Sequence, residues 1–153
     1  LYQMTKDMAV VRVHILDIEN SSDSDKVDVS GLKKSLEDVF ANRKSINFEV
    51  VGSKSDADLL ISCDVQKFIW KEDDPLDFLV GTAYDLLTSE NYAYLEAHFD
   101  VFNAKKGRRL WSRKLKVDYT KANMPVDESI PLINEKTAKI FMRDCFSKGR
   151  SKR

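Results

Sequence analysis

Two histidines, two cysteines and a few close carboxylates are the residues of this chain that could do chemistry. His98 lies between Glu96 and Asp100 at alternate positions, so on a strand all three leave the same side and could hold a metal ion. One histidine and two carboxylates along one flat strand converge poorly on a single ion. The preferred reading is a solvated polar sheet face. The carboxylate pairs Asp56/Asp58 and Asp73/Asp74 could serve acid–base work, but both fall in polar turns, where aspartate is an ordinary turn former. No G-x-S-x-G elbow, H-E-x-x-H pair or phosphate loop occurs, and five glycines cannot both cradle phosphate and close the turns. Cys63 and Cys145 match no zinc spacing. They read as two buried free thiols, with a disulfide from sheet to helix as the competing reading. The expectation is no catalytic residue, no cofactor and no metal.

Two features could bind a partner instead. Arg108, Arg109, Arg113, Lys114 and Lys116 surround Trp111. A basic strand with an aromatic suits single-stranded nucleic acid or an anionic lipid headgroup. A solvated turn is the plainer alternative, because Trp111 shares a face with Leu115 and Val117. The balance of 25 basic and 25 acidic residues gives no strong nucleic-acid signal. The second feature is an apolar segment within 71–91 carrying Phe78, Leu79 and Tyr84. Exposed apolar patches mark interaction sites; the plainer alternative is that the segment covers one end of the core. Phe78, Leu79, Tyr84, Arg109 and Arg113 are the expected partner-binding residues.

The elements around these residues follow from periodicity. Residues 92–119 read as one β-hairpin. Leu95, Ala97, Phe99 and Val101 alternate with Glu96, His98 and Asp100. Trp111, Leu115, Val117 and Tyr119 share a face that Arg113 interrupts. Gly107 supplies the positive φ that a short loop needs. The apolar run 9–18 predicts a buried strand, and residues 19–28 a mobile linker. Leu32, Leu36, Val39 and Phe40 predict a helix within 28–44, capped by Asp28 or Ser30. Short strands are expected at 46–51 and 59–70, the second slipping near Lys67–Phe68. The last helix is expected over about 130–146, capped by Ser129 with Pro131 in its first turn. Residues 1–8 read as a loose lead-in, and 147–153 as a flexible basic tail. The prediction is one α+β domain over 1–153, a two-layer sandwich. Its mixed sheet has about five strands, with two helices on one face. No run of 18 apolar residues occurs in the sequence.

Three stretches also resemble a known group. SDADLLISCDVQKF (55–68) is similar to an "ADxLIxGxV" strand. FDVFNAKKGRRLWSRKLKV (99–117) is similar to an "xxxVxDxxTGxxLWSxxxxV" hairpin, with Asn103 and Lys105–Lys106 in place of the usual Asp and Thr. AVVRVHILDIENSSD (9–23) resembles an opening "xVaVlpfxNxS" strand and loop. These patterns belong to small envelope domains of Gram-negative bacteria. The group includes the amino-terminal domain of the Tol–Pal propeller protein, curli-secretion lipoproteins, penicillin-binding-protein activator lipoproteins and lipopolysaccharide-assembly lipoproteins. The resemblance implies a non-enzymatic, periplasmic binding module, anchored at the outer membrane through a lipid-bearing cysteine upstream of Leu1. Its partner would be an envelope protein or a glycolipid. It carries over no catalytic residue. A single-stranded nucleic-acid-binding domain using the basic hairpin is the alternative function.

Overall fold

Val11, Val13 and Ile15 leave β1 (Val11–Ile15) on one side and are buried, while Arg12 and His14 leave on the other. That alternation, repeated strand by strand, decides which sheet face receives the helices. The computed structural model describes residues 1–71, 90–122 and 125–147. The apolar segment with Phe78, Leu79 and Tyr84, the pair Asp73/Asp74 and most of the basic tail lie outside the described residues.

The remaining elements are α1 (Tyr2–Thr5), β2 (Glu19–Asn20), α2 (Val29–Asn42), β3 (Phe48–Val50), a 3-10 turn (Lys54–Asp56), β4 (Leu59–Lys71), β5 (Glu90–Asn103), β6 (Arg109–Ala122) and α3 (Val126–Phe146). The sheet order is β3-β1-β4-β5-β6. β1 is parallel to both β3 and β4, and β4, β5 and β6 form an antiparallel meander. This is the expected α+β fold, with an open mixed sheet. The expected slip in β4 is a bulge between Val65 and Lys67. It keeps Phe68 in step with buried Leu95.

Helices α2 and α3 lie on the face that carries Val13, Ile61, Leu95 and Val117. Phe141 of α3 is the hub of the core. It stacks on Phe99 of β5 at 4.6 Å and meets Trp111, Phe40 and Phe146 edge-on. Offset and edge-to-face contacts such as these add to the area term of burial. The α2 N-terminus is capped as expected: Asp28 Oδ1 accepts the Gly31 N–H at 2.9 Å.

Three expectations are corrected. α3 begins a turn early, at Val126, so Ser129 is internal and buried rather than a cap. Its hydroxyl donates to the Val126 carbonyl at 2.9 Å. Pro131 therefore falls inside the helix, beyond the first turn. Residues 1–8 are not a loose lead-in throughout. Tyr2–Thr5 form one helical turn, Thr5 is fully buried, and the Leu1 amine donates to the Cys145 carbonyl at 3.0 Å. The acidic linker contributes β2, which pairs in parallel with β4 at Asp64 and Val65. The reason is length: β1 covers β4 only from Leu59 to Ile61, which leaves the next backbone groups on that edge for another segment to satisfy.

Candidate interaction surface

The β5–β6 ribbon carries the basic cluster, and its register decides where each cation goes. Val101 faces Trp111, but Phe102 faces Arg109, so Leu110 is an extra residue bulged out of the ladder. The bulge reverses the alternation. Arg109 leaves on the open face with Asp100, at 3.7 Å. Trp111 and Arg113 leave on the helix face, opposite Val101 and Phe99. Arg109 and Arg113 therefore leave on opposite faces, with Trp111 on the side of Arg113. Arg113 instead reaches the end of α3. Its guanidinium lies 3.3 Å from Asp144 Oδ2 and 5.5 Å from the centroid of the Trp111 ring. This is how a cation interrupts an apolar stripe at low cost: it lies at the margin, half-exposed, against a carboxylate and an aromatic face.

The open face is ruled by cross-strand rows. Asp64, His98 and Lys114 stand abreast, as do Ser62, Asp100 and Ser112, then Lys67, Glu96 and Lys116, then Ile69, Tyr94 and Asp118. Opposite charges on neighbouring strands stabilise such rows modestly. The Tyr94 hydroxyl donates to Glu96 Oε2 at 2.7 Å, and Lys114 lies 3.6 Å from Glu96. That hydrogen bond, and then the neighbouring Lys114, Lys116 and Lys67, hold the Glu96 carboxyl below its ordinary range. The same hydrogen bond, with some desolvation, pushes the Tyr94 phenol up to about 12.

His98, Ser112 and Asp100 meet on this face, but not as a relay. Ser112 Oγ lies 2.9 Å from His98 Nε2, and Asp100 Oδ1 lies 3.4 Å from that same nitrogen. Nucleophilic activation needs the two partners on the two different ring nitrogens. The trio is a surface network, and no group of three metal-ligating side chains occurs among the described residues. His14 Nδ1 pairs with the Val51 carbonyl at 2.9 Å. Asp58 acts across the sheet rather than within its own turn: its N–H donates to the Arg12 carbonyl at 2.8 Å, and its Oδ2 accepts the Arg12 N–H at 2.8 Å. Cys63 and Cys145 are free and buried. Burial pushes the Cys63 thiol up and the Cys145 thiol up to about 12, the reverse of what a reactive cysteine requires.

The concavities are shallow. A groove of about 420 Å³ between α2 and α3 is lined by Ser35, Asp38, Asn42, Arg43, Glu135 and Lys139 among others. A second, of about 240 Å³, lies beside Met4 and Met8, which are the exposed large apolar side chains among the described residues. Neither gathers the titrating groups of the open face. The bulge at Leu110 escaped the sequence reading, although the adjacent apolar pair Leu110–Trp111 is the break in alternation that signals it.

No protein-family profile matches the chain, and no curated protein matches it. Solved structures do share its fold. Protein XCC0632 from Xanthomonas campestris superposes with a TM-score of 0.60 at 11% identity, over 90% of this chain and 85% of that one. A neuraminyllactose-binding hemagglutinin homolog from Helicobacter pylori gives 0.55 at 15% identity, over 94% and 86%. Lipoprotein GNA1162 from Neisseria meningitidis gives 0.51 at 9% identity, over 84% and 99%. The chain thus has a fold that occurs in a bacterial lipoprotein, and these identities establish the fold alone.

Proposed function

We propose that this chain is a non-enzymatic binding module of the bacterial cell envelope. In this reading it is the periplasmic part of a lipoprotein, akin to the Tol–Pal, curli-secretion and lipopolysaccharide-assembly domains that its strand motifs resemble. It acts through contact with an envelope protein or a glycolipid. One observation carries the reading: Tyr94, Glu96 and Lys114, and likewise His98, Asp100 and Arg109, are engaged with one another or with Ser112 across the open face, so this part of the face offers a surface and no reactive cleft. The lipoprotein fold of GNA1162 supports it. In this reading Phe78, Leu79 and Tyr84 are apolar anchors with Arg109 and Arg113 as flanking charge, a combination suited to a protein interface.

The test is capture from envelope extract by the immobilised domain. Phe78→Ser with Leu79→Ser is expected to keep the far-UV dichroism and melting profile of the wild type while losing the captured partner. Undiminished capture by that variant overturns the reading. Single-stranded oligonucleotide binding at low salt, where phosphate contacts are strongest, would favour the nucleic-acid alternative instead; the expected result is no binding.

A further inference from the structure

Among the described residues, β6 pairs with β5 along one side only and is the last strand of the sheet. In an antiparallel ladder, alternate residues aim both N–H and C=O away from the partner strand. Helix α3 reveals which ones: Lys136 Nζ donates to the Asp118 carbonyl, so Asp118 faces outward. Lys116, Lys114 and Ser112 share that parity, because the ladder between them is unbroken. Lys136 closes the Asp118 end. Ser112, Lys114 and Lys116 are exposed, and their outward backbone groups have no partner among the described residues.

We propose that this strip, Ser112–Lys116, receives an extended acidic segment of a partner protein as the next strand of the sheet. The charge of the strand selects the occupant. From Arg109 to Lys116 the strand carries four cations, Arg109, Arg113, Lys114 and Lys116, and no acid. Lys116 makes no ion pair among the described residues. A second copy of β6 laid against this stretch would bring like charges together, which costs stability directly across a ladder. A strand with alternate carboxylates satisfies the ladder and the charges at once, which is the logic of strand addition. Lysines also protect an edge against indiscriminate pairing. Here they bar self-pairing and admit an acidic strand. The proposal rests on the reading of the domain as a protein-binding module and names the kind of partner.

The probe is a fluorescent synthetic peptide of alternating valine and glutamate, about eight residues long as a typical strand requires. Its lysine counterpart is the control. Wild-type protein is expected to bind the glutamate peptide saturably, more weakly as salt rises, and to ignore the lysine peptide. Lys116→Pro removes an outward N–H without touching the β5 ladder, the position where an edge strand tolerates proline. It is expected to weaken binding by about tenfold or more. Lys116→Gln, which keeps the N–H, is expected to weaken it by less. Equal weakening by the two variants reduces the effect to charge and overturns strand addition. If Lys116→Pro does not fold, amide exchange on the wild type decides: new protection at Ser112, Lys114 and Lys116 with peptide bound supports the proposal, and its absence overturns it. Self-association without peptide binding also overturns it. A wild type that ignores the peptide yet still captures its envelope partner through Phe78 and Leu79 sinks this proposal and leaves the module reading standing.

Discussion

Tyr94 and Glu96 show how two side chains on one strand face set each other's ionisation. The phenol donates to the carboxylate, which favours the ionised acid and the neutral phenol. Glu96 is held below its ordinary range, so its contribution is present above the unfolded carboxylate range and is lost as pH falls through the lowered folded value. Tyr94 is pushed up to about 12. Its contribution is present below the unfolded phenol value and is lost as pH rises through about 12. Tyr94→Phe is therefore expected to lower stability at neutral pH. The stability gap to wild type should narrow both in acid and in strong alkali. The phenolate absorbance titration should lose its step near 12. An unchanged titration curve would show that the phenol does not engage Glu96 in solution. At the same scale, Arg113 is an anchor for α3 as much as a surface cation, because Asp144 and Trp111 hold it from two sides.

The hairpin turn is the element most tightly specified by its residues. Asn103 Oδ1 accepts the N–H groups of Lys105 and Lys106 at 3.0 Å each, and Gly107 donates to the Asn103 carbonyl at 2.8 Å. The carboxamide thus satisfies two backbone donors of the turn by itself. Gly107 has φ +68° with open space around a would-be Cβ, so the penalty for a side chain there is conformational rather than steric crowding. Gly107→Ala is expected to destabilise by about 1–2 kcal/mol, and Gly107→Asn by less, since asparagine tolerates the left-handed region. Urea midpoints measure both; a neutral Ala variant would mean that the loop has another conformation open to it. The bulge at Leu110, just beyond this turn, splits the basic cluster between two faces.

For the whole molecule, Phe141 is the point where sheet and helices are locked together. It is fully buried and touches rings from β5, β6, α2 and α3 itself. Phe141→Ala removes contacts to every layer at once and is expected to cost about 3–5 kcal/mol in denaturant unfolding. A loss below about 1 kcal/mol, the scale of a surface change, would mean that the two layers are held elsewhere. Among the described residues, α2 and α3 cover one face of the sheet, and neither helix covers the other face.

Periodicity in the sequence was enough to find every described strand but β2, the two long helices, the buried thiols and the one-sided sandwich, because burial of alternate or every third-to-fourth residue is a local signal that survives without the fold. Asp28 as a cap and Gly107 as a turn residue were legible for the same reason: each acts on backbone within a few positions. What the tertiary structure alone decided is relational. β2 exists because β1 is too short to cover β4. The fates of Arg109 and Arg113 depend on a register against β5 that no local pattern fixes. The place of β6 at the end of the described strand order arises from pairing between segments distant in the chain.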